Sequence, residues 1–145
     1  MFVLCILAPL LAGGPLATGP GSGPSPNMIS LMKIISYNVN GIRAALRKGL
    51  DEWLQKAAPD VLCIQESKAQ PEQIDQAYFA QLGYQSHWHS AQKKGYSGVG
   101  ILSRQAPDYV AAGTGLDYID QEGRVLRADF GELTVLSVYV PSGTT

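Results

Sequence analysis

The strongest constraint in this sequence is the order of two apolar runs around a helical pattern. Lys33 to Asn38 carries Ile34, Ile35 and Tyr37 and ends in Asn38-Val39-Asn40-Gly41, the composition of a strand entering a turn. Leu46, Leu50, Trp53, Leu54 and Ala57 then recur at helical spacing until Pro59, which lacks a donor and cannot continue a helix. Val61-Leu62-Cys63-Ile64 is a continuous apolar run, as expected of a strand covered on both faces. Strand, helix and strand predict a βαβ unit with parallel strands and a right-handed crossover. That topology brings Asn38, Asn40 and Glu66 to the carboxyl edge of the sheet, where open α/β sheets hold ligands.

Further along, Pro71 opens a second helical pattern in which Ile74, Ala77, Tyr78 and Leu82 share a face, and Gly83 is placed to cap it. The period then changes to two. Ser97 to Ser103, Arg124 to Phe130 and Leu133 to Val140 are strand-like, with a tight connection at Gly131-Glu132. The fold class is α/β with a mixed sheet. The last strand runs into Pro141-Ser142-Gly143-Thr144-Thr145, so the sheet is expected to be unfinished, with a second half missing.

The first charged residue is Lys33, which sets residues 1–31 apart from 32–145. Met1 to Ala12 is apolar but too short to span a bilayer as a helix. No Lys or Arg precedes it, unlike a secretory signal, and a working start at Met28 or Met32 is the preferred reading. Gly13 to Pro26 is rich in Gly, Pro, Ala and Ser, a composition expected to stay disordered because it buries too little apolar surface to offset chain entropy.

A formal net charge of -1 gives no wholesale basic surface, so any nucleic-acid contact must be local. Arg43, Arg47 and Lys48, with Lys93 and Lys94, form the one basic cluster. Two cysteines, Cys5 and Cys63, make no disulfide framework, and the chain reads as cytoplasmic. His87 and His89 flank Trp88 as strand residues without assigned chemistry. Gly95 to Gly100 has the spacing G-x-x-G-x-G and is not a dinucleotide fingerprint.

Asn38-x-Asn40-Gly41 and Gln65-Glu66 offer hard oxygen ligands of the kind magnesium takes when it keeps water and substrate phosphate. Such an open cage suits phosphodiester cleavage, where the ion polarises a phosphoryl oxygen and stabilises the leaving alkoxide. Read by spacing alone, a plain turn at Asn40-Gly41 and a solvated Glu66 are the preferred reading.

Five ordered blocks resolve the choice. Lys33 to Ala44, Pro59 to Lys68, Gly95 to Arg104, Asp120 to Val125 and Val138 to Pro141 together resemble the exodeoxyribonuclease III / AP endonuclease family. The resemblance implies the N-terminal half of a four-layer α/β sandwich with mixed β-sheets. It implies Glu66 as principal magnesium ligand, with Asn38 beside it and Asn40 as a third; manganese is an admissible substitute. The position of Asn40 is Asp in some relatives, so one negative charge is lost here. Tyr139 matches an active-site tyrosine, acting as hydrogen-bond donor or, if ionised, as base. Arg43, Ala44, Gly95, Tyr96 and Arg124 match positions that contact the DNA backbone.

The implied partner is double-stranded DNA with abasic sites or 3′ ends, met by a monomer with no membrane association. The family's later motifs, Gly-Asp-x-Asn, a further Asp and Ser-Asp-His, have no counterpart, so this chain alone is expected to be inactive. Two alternatives stay open: a superfamily phosphatase or phosphodiesterase acting on inositol phosphates or lipids, and a non-catalytic DNA-binding fragment.

Overall fold

The computed structural model describes residues 2–9 and 32–143. Strands β1 (Phe2–Pro9), β2 (Ile34–Asn38), β3 (Val61–Gln65), β4 (Gln85–His89), β5 (Val99–Ser103), β6 (Tyr109–Ala112), β7 (Val125–Phe130) and β8 (Leu133–Val140) form two four-stranded sheets. The helices are α1 (Ile42–Arg47), α2 (Leu50–Ala57), α3 (Gln76–Gln81) and the single turn α4 (Asp117–Asp120).

One sheet runs β2-β3-β5-β4 and is mixed: β2 and β3 are parallel, and the other pairs antiparallel. The other sheet runs β1-β8-β7-β6 and is antiparallel throughout, because the two-residue Gly131-Glu132 connection folds β8 straight back on β7.

Alternation along β3 and β5 divides the core. Leu62, Ile64 and Leu102 face the helices and pack with Ile42, Leu50, Leu54, Phe79 and Tyr84. Val61, Cys63, Val99 and Ile101 face the second sheet and meet Leu126, Ala128, Phe130 and Val135. Both clusters are buried, and each large side chain contributes roughly 1.5–3 kcal/mol of transfer free energy. The apolar run of β3 is therefore sandwiched, as its composition predicts.

Three local outcomes differ from the sequence reading. The helical pattern from Leu46 to Ala57 is two helices, because Gly49 adopts φ +91° and lets the chain turn between them. The pattern opened by Pro71 is a 3-10 turn, Pro71–Gln73, followed by α3, whose N-cap Asp75 accepts from the Tyr78 amide at 2.9 Å. The apolar run at the start of 1–31, to which the sequence assigned no element, includes Phe2–Pro9, which pairs along the full length of β8, from Phe2 opposite Val140 to Pro9 opposite Leu133. An apolar run beside an unpaired strand edge satisfies that edge's backbone groups. The Gly/Pro-rich stretch lies outside the described residues. Among those described, no helix is long and apolar enough to cross a membrane.

Candidate active site

The parallel pairing of β2 and β3 continues into the loops beyond them. Amides of Val39, Gly41 and Ile42 donate to the carbonyls of Gln65, Glu66 and Ser67 at 3.0, 2.7 and 2.9 Å. From the other side, amides of Ser67 and Lys68 donate to Gly98 and Ser97 at 3.0 and 2.9 Å. The segment Glu66-Ser67-Lys68 is thus fixed on both sides. Gly98 is needed there: it holds φ +85°, and a Cβ would come within 2.2 Å of the Ser67 Oγ.

Among the described residues, five non-glycine residues have positive φ, and four of them, Asn40, Glu66, Lys68 and Ser97, lie in these stitched loops. Strain of this kind costs roughly 1–3 kcal/mol per residue and persists only where surrounding bonds over-determine it.

Glu66 is the centre of the group. Its carboxylate accepts from Asn38 Nδ2 at 2.8 Å and pairs with Lys68 Nζ at 3.1 Å. Asn38 Oδ1 accepts from the Asn40 amide at 3.0 Å, and Lys68 Nζ donates to Asn40 Oδ1 at 2.5 Å. The Tyr139 hydroxyl hydrogen-bonds the same carboxylate. Burial pushes the Glu66 pKa up, but the hydrogen bonds from Asn38, Lys68 and Tyr139 and the Lys68 charge outweigh it and hold the group below the usual value. Burial first, then the Glu66 hydrogen bond and charge, push the Tyr139 phenol above 10, against the opposing charge of Arg124. Of the two roles implied for Tyr139, this environment favours the protonated donor.

Tyr139 reaches Glu66 because it lies at the end of β8 on the face turned toward the first sheet, in phase with Val135 and Ser137. Beneath them, fully buried Gln65 donates from Nε2 to Ser137 Oγ at 3.2 Å and Ser36 Oγ at 3.1 Å. Gln65 is therefore a bridge between sheets and not one of the oxygen ligands its sequence position suggested.

Arg124 lies between two tyrosines. Its guanidinium is 5.1 Å from the Tyr139 ring and 5.7 Å from the Tyr96 ring. It donates to the Tyr96 hydroxyl at 2.7 Å and is ion-paired with Glu122. With its side chain only 10% exposed, Arg124 is committed to protein partners, and a phosphate would have to compete with Glu122.

Arg43, Ala44 and Gly95 come together elsewhere on the edge, lining a shallow cleft of about 350 Å³ with Arg47, Ser67 and Lys68. Arg43 and Arg47 are exposed. Asn38, Asn40 and Glu66 lie at one edge as the topology predicts, and the remaining candidates fall into two groups joined by Lys68, which the sequence reading did not single out. An ammonium bonded to both Glu66 and Asn40 has no signature in sequence spacing.

Among the described residues, no three His, Cys, Asp or Glu side chains gather to hold a metal ion. What gathers is one carboxylate with carboxamide oxygens, and the Lys68 ammonium sits between Glu66 Oε2 and Asn40 Oδ1 as a stand-in cation. By its chemistry this donor set is of the kind a hard, water-retaining divalent ion takes.

A two-sheet α/β fold with this polar edge defines a class, and comparison with known proteins names it. The chain belongs to the endonuclease/exonuclease/phosphatase family, whose pattern matches residues 35–144. It is 38% identical over 114 residues to a DNA-(apurinic or apyrimidinic site) endonuclease of Dictyostelium discoideum, covering 79% of this chain and 31% of that protein. It is 42% identical over 113 residues to an exodeoxyribonuclease of Bacillus subtilis, covering 77% and 43%. An AP endonuclease structure from Archaeoglobus fulgidus superposes with a TM-score of 0.68 at 34% identity, covering 77% of this chain and 42% of that one. The chain thus spans less than half the length of these relatives.

Proposed function

We propose that this chain is the N-terminal part of a divalent-metal-dependent DNA phosphodiesterase of base-excision repair, acting at abasic sites and 3′ ends. The observation that carries the reading is the convergence of Glu66, Asn38, Asn40 and Tyr139 at one sheet edge. The relatives' names, an apurinic-site endonuclease and an exodeoxyribonuclease, support the substrate class.

In this proposal Glu66, Asn38 and Asn40 hold magnesium, or manganese in its place. The bound ion supplies Lewis acidity at a phosphoryl oxygen and stabilises the leaving alkoxide. Tyr139, protonated at neutral pH, donates a hydrogen bond toward the scissile phosphate as charge develops on it. Arg43, Ala44 and Gly95 seat the DNA backbone in the cleft, and Tyr96 with Arg124 borders the phosphate near Tyr139. A residue lacking its base is inexpensive to unstack, which gives selectivity by shape.

In this reading the chain supplies the ligand side of the chemistry, and the general base for the attacking water belongs to the part of its relatives' length that it does not span. The expected result is that the 145-residue chain binds duplex DNA without cutting it, whereas a chain extended to its relatives' length cuts. Turnover by the pure 145-residue chain overturns the placing of the general base outside it, and failure of the extended chain to cut overturns the nuclease assignment.

A further inference from the structure

We infer that Lys68 is a built-in counter-cation of the metal site, which a divalent ion must displace and which couples metal binding to phosphate binding. The inference rests on the metal-site reading above. Its ammonium bonds to Glu66 Oε2 at 3.1 Å and Asn40 Oδ1 at 2.5 Å, two of the oxygens assigned to the ion. A divalent cation taking those oxygens cannot share them with an ammonium at hydrogen-bond distance, since like charges there repel strongly.

Displacement is feasible because only the tip of Lys68 is committed. Its backbone is fixed by the amide bond to Ser97, while its side chain is 35% exposed, against 12% for Glu66. The direction of release is also set. Lys68 lines the cleft that holds Arg43, Arg47, Gly41 and Gly95, so a freed ammonium joins two exposed arginines. Three cations and glycine-lined backbone suit a phosphate group. With metal bound, the cleft gains a charge; with phosphate bound, Lys68 is drawn off Glu66 and the oxygens open to metal. The two affinities must then rise by the same factor.

Asn40 shapes the balance. A carboxamide attracts the ion less than a carboxylate would, so Lys68 competes here against a ligand set carrying a single negative charge, Glu66.

The test is manganese binding to the 145-residue chain, followed by electron paramagnetic resonance, for the wild type, Lys68→Met, Lys68→Arg and Glu66→Gln, each checked for folding by circular dichroism. Expected are abolished binding in Glu66→Gln and manganese binding tightened by roughly fivefold in Lys68→Met. Lys68→Arg, which keeps the charge, should remain close to wild type. Added inorganic phosphate should tighten manganese binding to the wild type by about the same roughly fivefold factor and leave Lys68→Met unchanged, which separates coupling from direct chelation. Glu66-dependent binding that Lys68→Met fails to tighten, or phosphate coupling that survives in Lys68→Met, overturns the inference and leaves the metal site standing. Absence of manganese binding in every form overturns both.

Discussion

Gln65 and Ser137 are joined by a buried 3.2 Å hydrogen bond across the two sheets, and each precedes a site residue: Gln65 lies next to Glu66 and Ser137 two before Tyr139. That bond holds the carboxylate and the phenol in register although their strands belong to different sheets. Gln65→Leu should leave the Ser36 and Ser137 hydroxyls short of a partner and lower stability by about 1–3 kcal/mol in urea unfolding. An unchanged midpoint would mean that the bridge is dispensable.

Gly98 faces the segment that carries Glu66. Gly98→Ala introduces a Cβ 2.2 Å from Ser67 Oγ at a residue with φ +85°. Stability should fall by more than about 1 kcal/mol, since both the steric clash and the left-handed backbone oppose alanine. Thermal unfolding measures it, and hydrogen exchange at the Lys68 amide should accelerate as the loop loosens.

Stability should also depend on acid. Glu66 sits below its ordinary pKa because hydrogen bonds from Asn38, Lys68 and Tyr139 outweigh burial, and Asp129 does so chiefly through its Arg127 hydrogen bonds. Both folded values are depressed. Their contribution is therefore complete above the unfolded carboxylate values of about 4 and is lost as pH falls through the folded ones. In chelator-treated protein, the urea midpoint should hold from neutral pH to about 5 and then drop, with a shallower drop in Glu66→Gln and Asp129→Asn.

How much of this was legible in the sequence follows from where each signal resides. β3 and β8 match their periodicity because burial on both faces, and alternation with a tight turn, leave a residue pattern. β6 and α4 went unread, being four residues each and held by pairing and by the Asp120 carboxylate on Thr114 and Gly115. Asn38, Asn40 and Glu66 could be placed at one edge by topology alone. The burial of Arg124, the turning inward of Gln65 and the bridging by Lys68 could not, because each depends on side-chain direction across elements distant in sequence.

Tyr139 offers a separate check. Its phenol is pushed above the ordinary tyrosine value by burial and by Glu66, as that of Tyr78 is by its hydrogen bond to Asp51, so ultraviolet titration should show two high-titrating tyrosines, one of which disappears in Tyr139→Phe. In a chain extended to its relatives' length, the same substitution should lower kcat roughly a hundredfold with little change in KM, as expected when a donor acts on developing charge. A raised KM at constant kcat would assign Tyr139 to binding alone.

The most direct test of the central claim is incision of a duplex carrying one abasic-site analogue by the extended chain, with and without magnesium, beside its Glu66→Gln variant. The account predicts magnesium-dependent cleavage that Glu66→Gln abolishes. Cleavage that persists in Glu66→Gln, or no cleavage of the duplex with magnesium present, would contradict it.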